Sequence, residues 1–122
     1  MKDFQVYLLG VGEFQAQLDS PTQGVHRLSA QDDAFSMLLI ETEAWFPHYD
    51  YKEIQEDILA WTQERPFTIF TTLSSCDGDM RTATTNLRGP LVVDWEKGKI
   101  RQFVLYSGKY PLKAVLAGKE EN

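Results

Sequence analysis

TATTNLRGPLVVDWEKGKIRQFVLYSGKYPL, residues Thr82 to Leu112, decides the fold: it reads as three β segments joined by turns. Thr82 to Leu87 is rich in β-branched residues, which suit a pleated, half-buried surface. Gly89-Pro90 breaks that run, because Pro90 has no backbone N–H and restricts the residue before it. Leu91-Val92-Val93 is a short apolar run of strand type. Asp94 to Lys99 is polar and carries Gly98, so it reads as a hairpin loop with the glycine at positive φ. Ile100 to Tyr106 alternates as a strand, apolar on parts of both faces. Ser107-Gly108 is a further turn signal, and Tyr110-Pro111-Leu112 ends the stretch.

Upstream, Asp3 to Leu9 alternates as a strand and Gly10-Val11-Gly12 interrupts it. Glu13 to Leu18 reads as a second strand, Ser20 to Gly24 as a turn, and Val25 to Ser29 as a third strand. Ala34 to Ile40 is the most apolar run of the chain. It is short and carries no helix cap, so a buried central strand is expected. Asp50-x-x-Glu53 has the form of a capping box, with Asp50 as N-cap and Glu53 reaching back. Ile54, Ile58, Leu59 and Trp61 follow at helical spacing, which predicts a helix from Tyr51 to Gln63 that stops before Pro66. Phe67 to Leu73 is another strand, followed by a polar loop, Ser74 to Met80. Residues 1–122 form one domain of mainly β class: a small antiparallel barrel or sandwich with one short helix.

Composition bounds the function. The chain has 122 residues, 43% of them hydrophobic, which is enough for a core and too much for disorder. No apolar run approaches the ~20 residues of a membrane span. Met1-Lys2-Asp3 is followed only by the short apolar stretch Val6 to Leu9, so no cleavable signal is read and a cytoplasmic, membrane-free protein is expected. The single Cys76 agrees. The net charge of −6 speaks against direct nucleic-acid binding, which needs clustered Lys and Arg. The charge is also uneven. Glu41, Glu43, Asp50, Glu53, Glu56, Asp57, Glu64, Asp77 and Asp79 crowd one stretch against only Lys52 and Arg65. Lys97, Lys99, Arg101, Lys109 and Lys113 occupy another stretch without an acid. An acidic face of this kind either steers a basic protein partner or is ordinary solvated surface.

Recognisable reaction chemistry is absent. There is no P-loop, GxGxxG, HExxH or paired-cysteine motif. His26 and His48 are not at ligand spacing, and Cys76 has no base that the sequence can place beside it. Asp77-Gly78-Asp79 lacks the rest of a calcium loop and reads as turn chemistry. No enzyme, cofactor or metal is therefore expected.

Four motifs, in order, give a family resemblance. Thr85-Asn86-Leu87-Arg88-Gly89-Pro90-Leu91-Val92-Val93 resembles the TANLRAPIVIN core of the flagellar assembly factor FliW family. Tyr110-Pro111-Leu112 is similar to that family's C-terminal YPL. Trp45 to Tyr51, WFPHYDY, is similar to its FFPDYEF, and Leu28 to Ile40, LSAQDDAFSMLLI, resembles its LQSxxDPDLAFLV strand pair. Departures are plain. The family usually opens with one more strand and an FPxGLPGF turn before the segment matching Phe4 to Leu9. A missing strand is thus expected, with Gly10 to Gly24 in its place. Thr84 and Thr85 stand where the family has Met and Ala, and His48 where it has Asp.

The resemblance implies protein binding rather than catalysis. FliW-family proteins bind flagellin and the small RNA-binding regulator CsrA, and so couple flagellin secretion to its translation. A monomer when free is expected. An acidic surface meeting a basic RNA-binding protein is consistent with the acidic stretch Glu41 to Asp79. The candidate protein-binding residues are Pro47, Tyr49, Asp50, Glu53, Asp77, Asp79, Asn86 and Arg88. Pro47 and Tyr49 are read as shaping an exposed rim, and Trp45 and Phe46 as core aromatics. Each polar candidate also has a structural role open to it. Asn86 can satisfy loop backbone groups, Arg88 can pair with a local acid, and Asp50 and Glu53 can be helix caps. Asp77 and Asp79 lie on a loop, where binding residues often sit. Two other functions stay open: a diverged FliW-fold module for another partner, and a small ligand-binding β-barrel.

Overall fold

The computed structural model describes residues 2–74 and 81–116. Its strands are β1 (Asp3–Leu8), β2 (Gly12–Thr22), β3 (Val25–Ala30), β4 (Ser36–Glu41), β5 (Phe67–Ser74), β6 (Thr84–Thr85), β7 (Leu91–Asp94), β8 (Lys99–Gln102) and β9 (Ala114–Val115). They run in the order β4-β3-β2-β1-β8-β7-β5, and β4 also pairs with β5, which closes a seven-stranded barrel. β6 and β9 continue from the far end of β5. The expected antiparallel barrel holds except at one seam. β1 and β8 run parallel, with Val6 opposite Ile100. The strand expected to be missing leaves no gap in the ring, because β1 pairs with β2 on one side and with β8 on the other. Residues 10–24 supply the β1–β2 turn, the whole of the long β2 and the turn into β3.

Alternation along the strands fills the barrel. Phe4, Val6 and Leu8 of β1 point inward to meet Leu28, Leu39, Phe70, Leu91, Val93 and Ile100. Each such buried side chain contributes on the order of 1.5–3 kcal/mol of transfer free energy. A second cluster lies outside the ring. Ile54, Ile58, Ile69, Val92, Leu105 and Tyr49 pack there beneath the helical segment. β7 is therefore buried on both faces, which is why Leu91-Val92-Val93 is an unbroken apolar run rather than an alternating one.

The predicted helix exists as a 3-10 turn, Lys52–Ile54, continuing into a helix, Gln55–Thr62. It ends at Gln63 in the left-handed region, φ 58°. The capping box does not form. Asp50 Oδ1 accepts the N–H of Lys52, two residues on, while Glu53 turns away from the helix altogether. A four-residue helix, Thr42–Trp45, follows β4 and is too short to leave a periodic signal. It is α1, and Gln55–Thr62 is α2. Trp45 and Phe46, read as core aromatics, are half-buried against the cluster of Val25, Ile40, Ala83 and Leu116.

Three expectations shift at strand level. β4 is central, between β3 and β5, but only Leu39 and Ile40 are fully buried and Leu38 is exposed. Thr82 to Leu87 gives only the two-residue β6. Its Thr85 hydroxyl donates to Thr71 Oγ1 at 2.6 Å, and Thr42 reaches the same oxygen at 3.1 Å, all three being buried. β8 stops at Gln102 rather than Tyr106. Pro90 directly precedes the opposite strand β7 and has no N–H to give, so the ladder continues one-sidedly: Phe103 N–H donates to Pro90 O and Leu105 N–H to Arg88 O, each at 2.8 Å.

Candidate functional site

Three segments meet on one side of the barrel: Pro47 to Glu53, Asn86 to Gly89, and the irregular strap from Leu105 to Leu112. The strap is the hub. Glu53 Oε2 accepts the N–H of Tyr106 at 2.7 Å, and Oε1 accepts that of Ser107 at 3.2 Å. Lys109 Nζ reaches Asp50 Oδ2 at 2.8 Å. Tyr110 is tied at both ends: its hydroxyl accepts the N–H of Asp50 at 2.7 Å, and its carbonyl accepts Arg88 Nε at 2.5 Å. Charge-assisted bonds of this kind are the stronger ones, although exposure to water reduces the ion pair.

Electrostatics follow from these contacts. The Lys109 ammonium and then the Lys52 N–H hold the Asp50 carboxyl below its usual range. The N–H groups of the strap, Tyr106 first, do the same for Glu53. Asp50 in turn raises Lys109. Burial, with smaller contributions from Tyr110 and Glu53, pushes the Tyr49 phenol upward.

Two open grooves flank the strap. The first, about 400 Å³, is lined by His48, Tyr49, Asp50, Tyr51, Lys52, Gln55 and Lys109. The second, about 420 Å³, is lined by the polar Asn86, Arg88 and Gln102, by Gly89, and by Leu9, Val104, Leu105, Tyr106 and Leu112. Its rim is apolar and open to water: Tyr106 is 85% exposed, Leu112 57% and Leu9 42%. Space is tight at Gly89, which lines this groove. A Cβ there would stand 2.7 Å from Gln102 Nε2 and 3.1 Å from Asn86 Nδ2.

The structure gathers five of the candidate residues, Tyr49, Asp50, Glu53, Asn86 and Arg88, around this strap. Asp50 and Glu53 latch it, Arg88 anchors it, and Asn86 Oδ1 accepts the N–H of Arg88 at 3.0 Å. Pro47 is exposed beside the first groove's His48. Tyr49 corrects the expectation of an exposed rim. It is buried beneath Tyr110, with ring centroids 5.0 Å apart, and its hydroxyl donates to Leu87 O at 2.6 Å. Among the described residues Arg88 bonds the Tyr110 carbonyl in place of the acid expected for it. Asp77, Asp79 and Cys76 lie outside the described residues. Leu9, Tyr106, Lys109 and Leu112 were not foreseen as site residues. Leu9, Lys109 and Leu112 each stand next to Gly10, Gly108 or Pro111, and Tyr106 two residues before Gly108, a mark shared with ordinary turns.

No group of three His, Cys, Asp or Glu side chains among the described residues could hold a metal ion. No helix among them is long and apolar enough to cross a membrane.

Comparison with known proteins accords with this architecture. A family model described as FliW protein matches residues 8–116. A flagellar assembly factor FliW of Thermosipho africanus (strain TCF52B) is 29% identical over 92 residues, covering 74% of this chain and 63% of that protein. One from Clostridium beijerinckii (strain ATCC 51743 / NCIMB 8052) is 27% identical over 94 residues, covering 75% and 65%. The chain thus spans a little under two thirds of the length of the curated relatives it matches. A crystal structure of the flagellar assembly factor FliW superposes with a TM-score of 0.73 at 24% identity, covering 84% of this chain and 74% of that one. That likeness speaks for the fold. The family match takes in the four motifs of the sequence, the barrel from β2 onward and both flanks of the strap. The chain belongs to the FliW family.

Proposed function

We propose that this protein is a non-enzymatic, cytoplasmic regulator of flagellar assembly, monomeric when free. It binds a CsrA-type RNA-binding regulator and flagellin, and so couples flagellin secretion to flagellin translation. The family match over residues 8–116 carries the reading, and relatives described as flagellar assembly factors support it.

The second groove is the site we assign to a protein segment. Leu9, Tyr106 and Leu112 give it apolar contact, and Arg88 a guanidinium within reach of a partner carboxylate or carbonyl. The acidic stretch is the side we assign to the basic CsrA-type partner. Asp50 and Glu53 are engaged with the strap, so the attraction falls to the exposed Glu41, Glu43, Glu56, Asp57 and Glu64, together with Asp77 and Asp79.

Calorimetry with flagellin and a CsrA-type protein from the same organism tests the proposal. Micromolar or tighter binding is expected for both, and binding to the CsrA-type partner should weaken as salt rises. A folded protein that binds neither at tens of micromolar sinks the reading and leaves a family-fold module with another partner.

A further inference from the structure

The strap from Leu105 to Leu112 is built unlike the barrel beside it. It has no regular secondary structure, and Tyr106, Ser107, Gly108, Lys109, Pro111 and Leu112 are all exposed. Gly108 stands at φ 75° at its tip. Its apolar anchorage comes from Leu105, buried in the outer cluster, and from Tyr110, half-buried against it. What remains is polar, and much of it converges on two side chains. Glu53 takes two strap N–H groups, and Asp50 takes the Lys109 ammonium while giving its own N–H to the Tyr110 hydroxyl. Segments with few buried apolar contacts and solvent-exposed hydrogen bonds open at a small fraction of the global unfolding free energy.

The latch also sits where it matters. Tyr106, whose N–H Glu53 holds, walls the second groove, and Lys109, which Asp50 holds, walls the first. Tyr110 spans the two through its hydroxyl and its carbonyl. A carboxylate pair one short turn apart therefore fixes one wall of each groove.

We propose that the strap from Leu105 to Leu112 moves as a single element, that Asp50 and Glu53 are its latch, and that unlatching reshapes both grooves together. The inference deepens the binding reading of the second groove, since it supplies a control on that groove. It stands or falls on the free protein, so a failed partner-binding experiment leaves it untouched.

Site-resolved amide hydrogen exchange on the free protein tests it, with the Glu53→Ala variant against the unaltered chain. If the strap moves as a unit, the N–H groups of Tyr106 and Ser107 exchange about tenfold faster or more. The N–H groups of Leu105 and Asp50 accelerate with them, although Glu53 touches neither. The amides of Val92 and Val93 in β7 keep their protection. Acceleration confined to Tyr106 and Ser107 overturns the proposal, because it shows two independent hydrogen bonds rather than one latched element. Should the alanine variant unfold, as loss of protection at Val92 and Val93 would reveal, Asp50→Asn replaces it. Asparagine keeps an acceptor for the Lys52 N–H and removes only the charge facing Lys109. The same four amides then accelerate by a smaller common factor, and unchanged exchange at Tyr106 and Leu105 overturns the proposal.

Discussion

Tyr49 donates its hydroxyl to the carbonyl of Leu87 at 2.6 Å, joining residues 38 positions apart in the chain. The bond fixes the aromatic segment before α2 to the segment that opens the second groove. Both residues are buried, so removal of the donor leaves the carbonyl without water to replace it. Tyr49→Phe keeps the ring against Tyr110 and deletes only the hydroxyl. The variant should lose about 1–3 kcal/mol of stability, read as a lower urea midpoint at unchanged slope. A midpoint within error of the parent would mean that the Leu87 carbonyl finds water in the native state.

Acid should loosen the strap before it unfolds the barrel. Asp50 and Glu53 both sit below their ordinary values of 3.8 and 4.5 in the folded protein, held down by Lys109 and by the Tyr106 N–H respectively. With depressed native values, the unfolded or unlatched chain takes up these protons first as pH falls. Their contribution is therefore complete above about pH 5 and declines as pH drops through the native values, below the ordinary ones. Carboxyl-resolved NMR titration should place both midpoints low, with the Tyr106 and Ser107 amide shifts following Glu53. A Glu53 midpoint at or above 4.5 contradicts the hydrogen bonds described.

Local signals made most of the barrel legible. Alternation in β1 and the positive φ of Gly98, 68°, each lie in a few consecutive residues and stand where the sequence places them. The turn expected over Ser20 to Gly24 narrows to Gln23 and Gly24, because β2 runs on to Thr22. Pairing across distance was not legible. Nothing within Asp3 to Leu8 says that its second neighbour is β8, more than ninety residues on and parallel to it. β8 ends early because of Pro90, which precedes the neighbouring strand β7, so the cause is invisible within Ile100 to Tyr106 itself. The candidate site was read as residues, and correctly as neighbours in part, but the roles changed. Glu53 has the spacing of a capping residue and instead serves N–H groups fifty-three and fifty-four positions away. Tyr49 looked like rim because aromatic, proline-flanked segments suit surfaces equally well, and only the position of Tyr110 over it makes it core.

Gly89 is a point where space rather than backbone conformation demands glycine. Its added Cβ would meet Gln102 Nε2 at 2.7 Å, the end of a flexible side chain that can move. Moving it has a cost, because Nε2 donates to Gly89 O at 3.1 Å and Oε1 accepts the N–H of Leu9 at 3.1 Å. Gly89→Ala should therefore destabilise by about 1–3 kcal/mol, the loss of these two bonds. The Leu9 amide should lose protection from exchange at the same time. Gly89→Ala combined with Gln102→Ala should cost about as much as Gly89→Ala alone, since the same two bonds are missing in both. A double variant that is less stable than either single change would point to strain elsewhere in the backbone.

The exposed rim of the second groove separates a docking surface from incidental surface. Tyr106 and Leu112 have most of their area in water, and surface changes away from buried features usually alter stability by no more than ~0.5 kcal/mol. Tyr106→Ser and Leu112→Ser should thus leave the thermal midpoint nearly unchanged. The latch is also spared, because Glu53 holds the main-chain N–H of Tyr106 rather than its ring. If the rim seats an apolar segment of flagellin, each change removes contact area that matters only in the complex, and affinity should fall about tenfold or more, equivalent to ~1.4 kcal/mol. Binding to the CsrA-type partner, assigned to the acidic side, should change far less. Calorimetry on the two variants with both partners reads this directly. Equal losses toward both would merge the two surfaces into one, and no loss toward flagellin would move its site away from the strap.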